Sequence, residues 1–226
     1  MSLALFQGGN SMIQHQSELF LQNPVDLLAF EKIAGMQGFC RVAGVDEAGR
    51  GPLAGPVMAA AVILPVGVHI PGVDDSKKLT PQIREQLFDV IMNRALSVGI
   101  GIVDPEVIDR INILQATRLA MLNAVEQLSP QPDYILIDGI TAIHSQIPQK
   151  TVKKGDSLSL SIAAASIIAK VTRDHMMIEM DHVFPGYGLA GHKGYGSAQH
   201  LEAIRLLGPS PIHRRTFRGV REHIPC

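Results

Sequence analysis

Apolar positions along the chain fall into short unbroken runs and into longer stretches with helical spacing. The runs predict strands at residues 41–45, 55–64, 98–103 and 134–137, and a more polar strand, nearer a sheet edge, at 149–153. Helical spacing, or a capping residue before a proline, predicts helices at residues 23–33, 80–94, 104–128 with a break near Asn112, 160–182 and 198–207. This order of strands and helices predicts a mixed α/β sheet with helices on its faces.

Composition limits the class of protein. The chain has 226 residues, of which 46% are hydrophobic and 18% charged, enough for one sizeable core and too apolar for disorder. The longest unbroken apolar stretch, residues 57–64, is too short to cross a membrane. No basic residue precedes Lys32, so we expect no secretory signal. The two cysteines, Cys40 and Cys226, fit no disulfide framework, and we expect a buried Cys40 in a reduced, cytoplasmic protein.

The charge is distributed unevenly. The whole chain carries −1, but residues 192–226 contain six Lys or Arg and two Asp or Glu, a local charge of +4. Such a patch can bind phosphates on a nearly neutral protein, although a solvated basic tail is the alternative. We expect residues 1–22 to form a flexible extension and residues 23–226 a single domain, whose last part, about 185–226, is basic and helical.

Acidic residues follow the predicted strands. Asp46 and Glu47 come directly after the first apolar run, Asp138 after the fourth, and Asp156 at the end of the polar strand. A bare acid at a buried strand end costs several kcal/mol, so it is hydrated, paired or bound to a cation. Each acid could instead begin a loop or cap a helix. Two strand-end acid sites in one chain favour a cation site, and oxygen ligands of this kind suit Mg²⁺ or Mn²⁺.

Two further segments could contribute chemistry. Ser166, Lys170 and Asp174 follow one another at four-residue steps on the longest predicted helix, an arrangement that also fits an ordinary surface ion pair. Residues 49–56 are rich in glycine and proline and include Arg50, so backbone amides could approach a ligand and the guanidinium could hold a phosphate. No GK[ST] follows, which excludes a Walker loop, and a structural tight turn is the alternative.

Six segments together resemble, in order, the motifs of the ribonuclease HII family, the type 2 ribonucleases H. They are VAGVDEAGRG at 42–51, DSKKL at 75–79, IDG at 137–139, KGD at 154–156, AASIIAKVTRD at 164–174 and HKGY at 192–195. The resemblance covers roughly residues 41–217. It implies one ribonuclease H-like catalytic domain, with a mixed five-stranded sheet flanked by helices and a helical C-terminal part.

The resemblance also implies a function. It indicates an endonuclease that cuts the RNA strand of RNA–DNA hybrids and incises 5′ of single ribonucleotides in duplex DNA. Two divalent cations, Mn²⁺ or Mg²⁺, would assist, leaving 5′-phosphate and 3′-hydroxyl ends. We expect a monomer whose partner is nucleic acid and not a membrane. The metal ligands would be Asp46, Glu47, Asp138 and Asp156, with Asp174 in support.

The substrate-binding residues are implied in the same way. The backbone of Gly49, Arg50 and Gly51 would read the ribose 2′-hydroxyl, and Tyr195 would pack on the next deoxyribose. Phosphate contacts would come from Lys77, Lys170 and Lys193.

Two alternatives remain at this point. The related ribonuclease HIII shares the acids but has a different substrate-reading loop and an added N-terminal domain. The Gly-Arg-Gly segment, Tyr195 and the short segment before the motifs favour ribonuclease HII. A catalytically silent module that only binds hybrids is the other alternative, and the complete set of acids argues against it.

Overall fold

A five-stranded mixed sheet forms the centre of the protein in the computed structural model, which describes residues 26–73 and 79–224. The strands are β1 (Val42–Ala48), β2 (Val57–Ile63), β3 (Ser97–Val103), β4 (Tyr134–Asp138) and β5 (Gln149–Val152). Their order is β3-β2-β1-β4-β5. The pairs β1–β2 and β2–β3 are antiparallel, whereas β1–β4 and β4–β5 are parallel. The predicted mixed sheet is confirmed, and the polar strand β5 lies at an edge.

Helices cover both faces of this sheet. They are α1 (Ala29–Met36), α2 (Pro81–Arg94), α3 (Pro105–Ile111), α4 (Ile113–Glu126), α5 (Leu160–Val183), α6 (Leu189–His192) and α7 (Ala198–Leu207). Helices α3 and α4 pack on one face, where Ile108 and Ala120 join Val45 and Ile137 of the sheet. Helices α2 and α5 cover the other face.

Strand β1 is longer than its apolar run predicts. The prediction ended at Val45, with the acids after the strand, but β1 continues through Asp46 and Glu47. The reason is β2, which is buried along its whole length and pairs with these residues, Asp46 with Ala60 and Glu47 with Ala59. Both acids are therefore held by the sheet and not by a loop.

Local sequence signals predict the start of α4 correctly and the start of α1 incorrectly. Asn112 separates α3 from α4, as predicted, with a φ of +67°. Its Oδ1 accepts the N–H groups of Leu114 and Gln115 at 3.0 and 3.1 Å, which begins the new helix. The first helix was predicted to begin at residue 23, but α1 begins at Ala29, and the expected cap Asn23 lies outside the described residues.

The C-terminal part forms its own apolar cluster. Leu53, Met177, Ile204 and Val220 are buried there together. The cluster joins the loop after β1, the end of α5, and α7, so this part of the chain packs firmly and is not a solvated tail. No helix in residues 26–73 and 79–224 has the length and apolar character to span a membrane. The expected burial of Cys40 is wrong, because this residue is exposed before β1 begins.

Candidate active site

Asp46 and Asp138 lie side by side at the ends of two neighbouring parallel strands. Val45 of β1 pairs with Ile137 of β4, so the two aspartates are the next residues along their strands. Neighbouring strands lie about 4.8 Å apart, which brings the two carboxylates to one edge of the sheet.

Both aspartates face helix α5. Side chains alternate between the two faces of a strand, so Asp46 shares a face with Gly44 and Asp138 shares one with Leu136. A Cβ on Gly44 would overlap the backbone where α5 begins, and Leu136 packs on Ile162 of α5. The absence of a side chain at Gly44 thus lets α5 approach the strand closely, next to the carboxylates.

Glu47 faces the opposite side. Its strand neighbour Val45 is part of the core beneath α4, and Glu47 lines a cavity of about 370 Å³ together with Thr117 and Met121 of that helix. Arg50 Nη1 lies 3.4 Å from Glu47 Oε1. The three strand-end carboxylates therefore approach the same edge from two sides.

A smaller cavity of about 220 Å³ opens on the α5 side of this edge. Its walls come from the ends of β1 and β4, the loop after β1, α5 and the segment after α6: Asp46, Glu47, Asp138, residues 48–51, Ser166, Lys170, Arg173 and Tyr195. The structure thus brings together nine of the residues singled out from the sequence, namely Asp46, Glu47, Gly49, Arg50, Gly51, Asp138, Ser166, Lys170 and Tyr195.

Burial and the neighbouring carboxylates disfavour the ionised form of Asp46. The residue is only 3% exposed, and burial raises its pKa well above the ordinary range, with further contributions from the nearby charges of Glu47 and Asp138. A hydrogen bond from Ser166, and the N–H of Glu47 donating to Oδ1 at 2.7 Å, act in the other direction. A cation beside Asp46 would offset both the burial and the repulsion.

The donor set fits a hard divalent cation in its chemistry. Among the described residues, no three His, Cys, Asp or Glu side chains are already gathered as a metal-binding group. The alternation of faces accounts for this, because Glu47 lies on the α4 side and is drawn toward Arg50. Asp46, Glu47 and Asp138 nevertheless present only carboxylate oxygens at one edge, which are the ligands that Mg²⁺ and Mn²⁺ prefer.

The other predicted carboxylates lie outside the cavity wall. Asp156 is buried in a one-turn 3₁₀ helix, Gly155–Ser157, and the N–H of Gly155 donates to Asp138 Oδ1 at 2.6 Å. Asp174 accepts a hydrogen bond from Lys170 at 2.8 Å. Neither side chain lines the cavity.

One of the predicted phosphate contacts, Lys193, is also not at the cavity. The ammonium group of Lys193 donates to the carbonyl of Ala190, and this side chain is not part of the wall. Lys77 lies outside the described residues.

Sequence reasoning missed Arg214, which shapes the loop after β1. It was counted within the basic tail, yet its side chain is fully buried. It donates to the carbonyls of Arg50 at 2.8 Å, Gly49 at 2.5 Å and Gly55 at 2.9 Å. These hydrogen bonds hold the carbonyl groups toward Arg214 and so restrict their rotation toward the cavity. Nothing in the sequence separates this arginine from its exposed neighbour Arg215.

Arg173, also missed, joins three segments of the site. From α5 it donates to the carbonyls of Pro56 and Ala54 at 3.1 Å each and to that of Lys193 at 3.0 Å. Gly49 has a φ of +92°, and a Cβ there would overlap the Arg173 side chain. Arg173 follows Ser166 by seven residues on the same helix, so helical spacing could have placed it on the functional face.

A pair of buried histidines supports the segment that carries Tyr195. The Nε2 atoms of His200 and His213 are 3.0 Å apart, and Nδ1 of His200 lies 3.0 Å from the carbonyl oxygen of Tyr195. Burial, followed by the proximity of His200 and His192, lowers the pKa of His213 to about 4.

We expect this burial to make the protein acid-sensitive. The unfolded chain binds a proton at His213 near pH 6.5 and the folded one only near pH 4. The stabilisation is therefore complete above pH 6.5 and is lost as pH falls toward 4, by about 3 kcal/mol. Urea unfolding from pH 7.5 to 4.5 measures it. His213→Gln should show a shallower pH dependence than the wild type, while the exposed control His182→Gln should not, and equal slopes for all three would contradict this origin.

Comparisons with known proteins bear on this site. The sequence profile of a family described as Ribonuclease HII matches residues 43–220. A curated ribonuclease HII from Pelobacter propionicus is 68% identical over 211 residues, covering 93% of this chain and 96% of the relative. One from Geobacter sulfurreducens is 65% identical over 195 residues, with 86% and 90% covered. The crystal structure of ribonuclease H2 from Pyrococcus horikoshii superposes with a TM-score of 0.68 at 30% identity, covering 80% of this chain and 96% of that one.

Proposed function

The chain belongs to the ribonuclease HII family of endoribonucleases, which cleave the RNA strand of RNA–DNA hybrids, and from this membership we propose that it also incises duplex DNA 5′ of a single ribonucleotide. The family and the ribonuclease H-like fold expected from the motifs are thereby confirmed, and the alternative of a silent binding module is set aside. The observation that carries the proposal is the single cavity that joins strand-end carboxylates, the Gly-Arg-Gly loop and Tyr195.

We infer that Asp46, Glu47 and Asp138 hold two divalent cations, Mg²⁺ or Mn²⁺. Such ions, when bound, generate a hydroxide nucleophile from water and neutralise charge on the phosphate. The carboxylates bind and orient them from both faces of the strand edge. We keep Asp156 as a proposed fourth carboxylate because its 3₁₀ turn is hydrogen-bonded to Asp138. Hydrolysis would leave a 5′-phosphate and a 3′-hydroxyl.

Selection of the ribonucleotide is assigned to the loop after β1. Arg214 and Arg173 bind several carbonyls of this loop, while residues 48–51 line the cavity. Backbone groups brought this close can recognise a 2′-hydroxyl, which both donates and accepts hydrogen bonds and is absent from DNA. Lys170, on the opposite wall, supplies positive charge for a phosphate.

Tyr195 is assigned to the sugar that follows the ribonucleotide. Its side chain is 47% exposed, and its ring lies 3.6 Å from the position a Cβ would take on Gly51. A flat apolar ring beside the sugar-reading loop can pack against a deoxyribose.

The proposed activity is tested with a duplex that contains one ribonucleotide, incubated with Mg²⁺, Mn²⁺ or EDTA. We expect one nick on the 5′ side of the ribonucleotide, with a 3′-hydroxyl that a polymerase can extend, and no nick in EDTA. The matched control carries a deoxyribonucleotide at the same position. Incision of that control at the same rate, or a nick on the 3′ side, would contradict the assignment.

We expect Tyr195→Ala to reduce kcat/KM for single-ribonucleotide incision about tenfold, because a packing aromatic ring is lost. Tyr195→Phe keeps the ring and should stay near the parental value. Steady-state kinetics on the same duplex measures both variants. Equal losses for Ala and Phe would assign the effect to the hydroxyl group and refute the packing role.

A further inference from the structure

Three histidine rings lie next to one another near Tyr195 in the C-terminal part. The ring centroids of His192 and His200 are 4.3 Å apart, and those of His200 and His213 are 5.2 Å apart. His200 and His213 are buried, at 0% and 1% exposure. Since they come from α7 and from the segment after it, their contact ties the two segments together.

The hydrogen bonds of the buried pair specify which nitrogen of each ring carries the proton. The backbone N–H of Ser210 donates to Nδ1 of His213 at 3.0 Å, so this nitrogen is an acceptor. In a neutral imidazole the other nitrogen is then the donor. Nε2–H of His213 therefore donates to Nε2 of His200 at 3.0 Å, and the proton of His200 resides on Nδ1, which donates to the carbonyl of Tyr195 at 3.0 Å.

The same reasoning assigns the proton of the third ring, His192. The N–H of Gly194 donates to Nδ1 of His192 at 3.2 Å, so Nε2–H of His192 donates to the carbonyl of Tyr187 at 2.8 Å. Each ring thus carries one proton in a fixed place. The opposite order in the buried pair would set the N–H of Ser210 against an N–H of His213.

The chain of protons ends at the backbone of Tyr195. Its carbonyl accepts from His200 and from the N–H of Ser197, at 2.8 Å. The preceding residue, Gly194, is held by His192. The backbone on both sides of Tyr195 is therefore fixed by ring nitrogens, while its own ring remains half-exposed at the cavity.

We propose that His200 and His213 are positioning residues for Tyr195: their ordered protons hold its backbone so that the ring meets the sugar beyond the ribonucleotide. The inference rests on the proposed function, because it assigns a purpose to the place of Tyr195. His213 lies one ring further from the cavity than His200, so its effect on substrate must pass through His200.

The proton order is tested without substrate. The full-length, metal-free protein is labelled with ¹⁵N-histidine, and a long-range ¹H–¹⁵N spectrum at pH 7.5 reports the tautomer of each ring. We expect His200 as the Nδ1–H tautomer and His213 and His192 as Nε2–H tautomers. An Nε2–H or averaged signal for His200 in the wild type would overturn the proposal.

A matched pair of variants connects proton order to substrate. His213→Gln keeps an N–H donor at the same distance from the backbone, whereas His213→Leu removes it. We expect the Nδ1–H signal of His200 to persist in both variants, because the carbonyl of Tyr195 still accepts that proton, while only the Leu variant leaves Nε2 of His200 without a donor. The KM for single-ribonucleotide incision should rise about fivefold in Leu relative to Gln, a larger change than that in kcat.

Equal KM values for the two variants would overturn the positioning role. A wild-type protein that fails to incise single ribonucleotides would instead overturn the proposed function, and the tautomer spectrum would still decide the proton order.

Discussion

Asp46→Asn is expected to abolish cleavage and at the same time to make the metal-free protein more stable. In the proposed role the Asp46 carboxylate binds divalent cations, and an amide cannot replace its charge. We expect the rate to fall about a thousandfold or more with Mg²⁺, on hybrids and on single-ribonucleotide duplexes alike. A nuclease assay on both substrates measures the loss, and cleavage at the parental rate would refute the metal-binding role.

The gain in stability follows from the sign of the pKa shift. The pKa of Asp46 is raised in the folded protein, so the group favours folding when protonated, at low pH, and this is lost as pH rises through the raised value. As pH rises, ionisation of this buried carboxyl opposes folding of the wild type, whereas the variant has no group to ionise there. We expect the variant to be more stable by about 1–2 kcal/mol in EDTA, with a difference that shrinks toward acidic pH.

Thermal unfolding in EDTA at several pH values measures this difference. Asp89→Asn is the matched control, because Asp89 is an exposed acid on α2, away from the cavity. It should leave both the nuclease rate and the stability unchanged. A less stable Asp46→Asn protein at pH 7.5 would contradict repulsion among the strand-end carboxylates.

Arg214→Met is expected to cause the largest loss of stability. The substitution leaves the carbonyls of Gly49, Arg50 and Gly55 without this donor, and charge-assisted hydrogen bonds of this kind are the strong ones. We expect the free energy of unfolding to fall by about 3–5 kcal/mol. The loop after β1 loses its support, so the KM for the ribonucleotide duplex should rise as well.

Two further variants, Arg214→Lys and Arg215→Met, separate the effect of the guanidinium hydrogen bonds from the effect of losing a positive charge. Lysine keeps the positive charge but offers a compact ammonium in place of the planar fork, so we expect only partial recovery. Arg215 is exposed, so its truncation should cost little. Denaturant unfolding and steady-state kinetics measure the set. A stability of Arg214→Met equal to that of Arg215→Met would show that the carbonyl contacts contribute nothing.

Local sequence signals were sufficient for most of the architecture. Unbroken apolar runs predict β1 to β4 because helices cover both faces of the sheet, although the edge strand β3 is only partly buried. The polar composition of β5 fits its place at the other edge. The break at Asn112 was predicted because an asparagine side chain can begin a helix. The acids near the strand ends could also be predicted as site residues, because a charged residue that directly follows a buried apolar run must be hydrated, paired or bound to a cation.

What could not be predicted depends on contacts between distant parts of the chain. Arg214 sits in a basic stretch, and only the folded chain shows that it is buried against the loop after β1. The contact between His200 and His213 forms only when α7 and the following segment pack together, so the sequence alone does not predict it. The orientation of the Glu47 side chain toward α4 depends on how far β1 extends. The strand extends through Glu47 because it pairs with β2 there, which the apolar run alone does not predict.

The contact between Arg214 and Arg50 has a consequence for biosynthesis. It joins positions 164 residues apart, and His213 beside it forms a β-bridge with Ala54. During synthesis the sheet and its carboxylates can assemble once α5 has emerged from the ribosome, but the loop proposed to recognise ribose acquires its support only after residue 214 has left the exit tunnel. We therefore expect the proposed selectivity for ribose to be established last in the newly made chain.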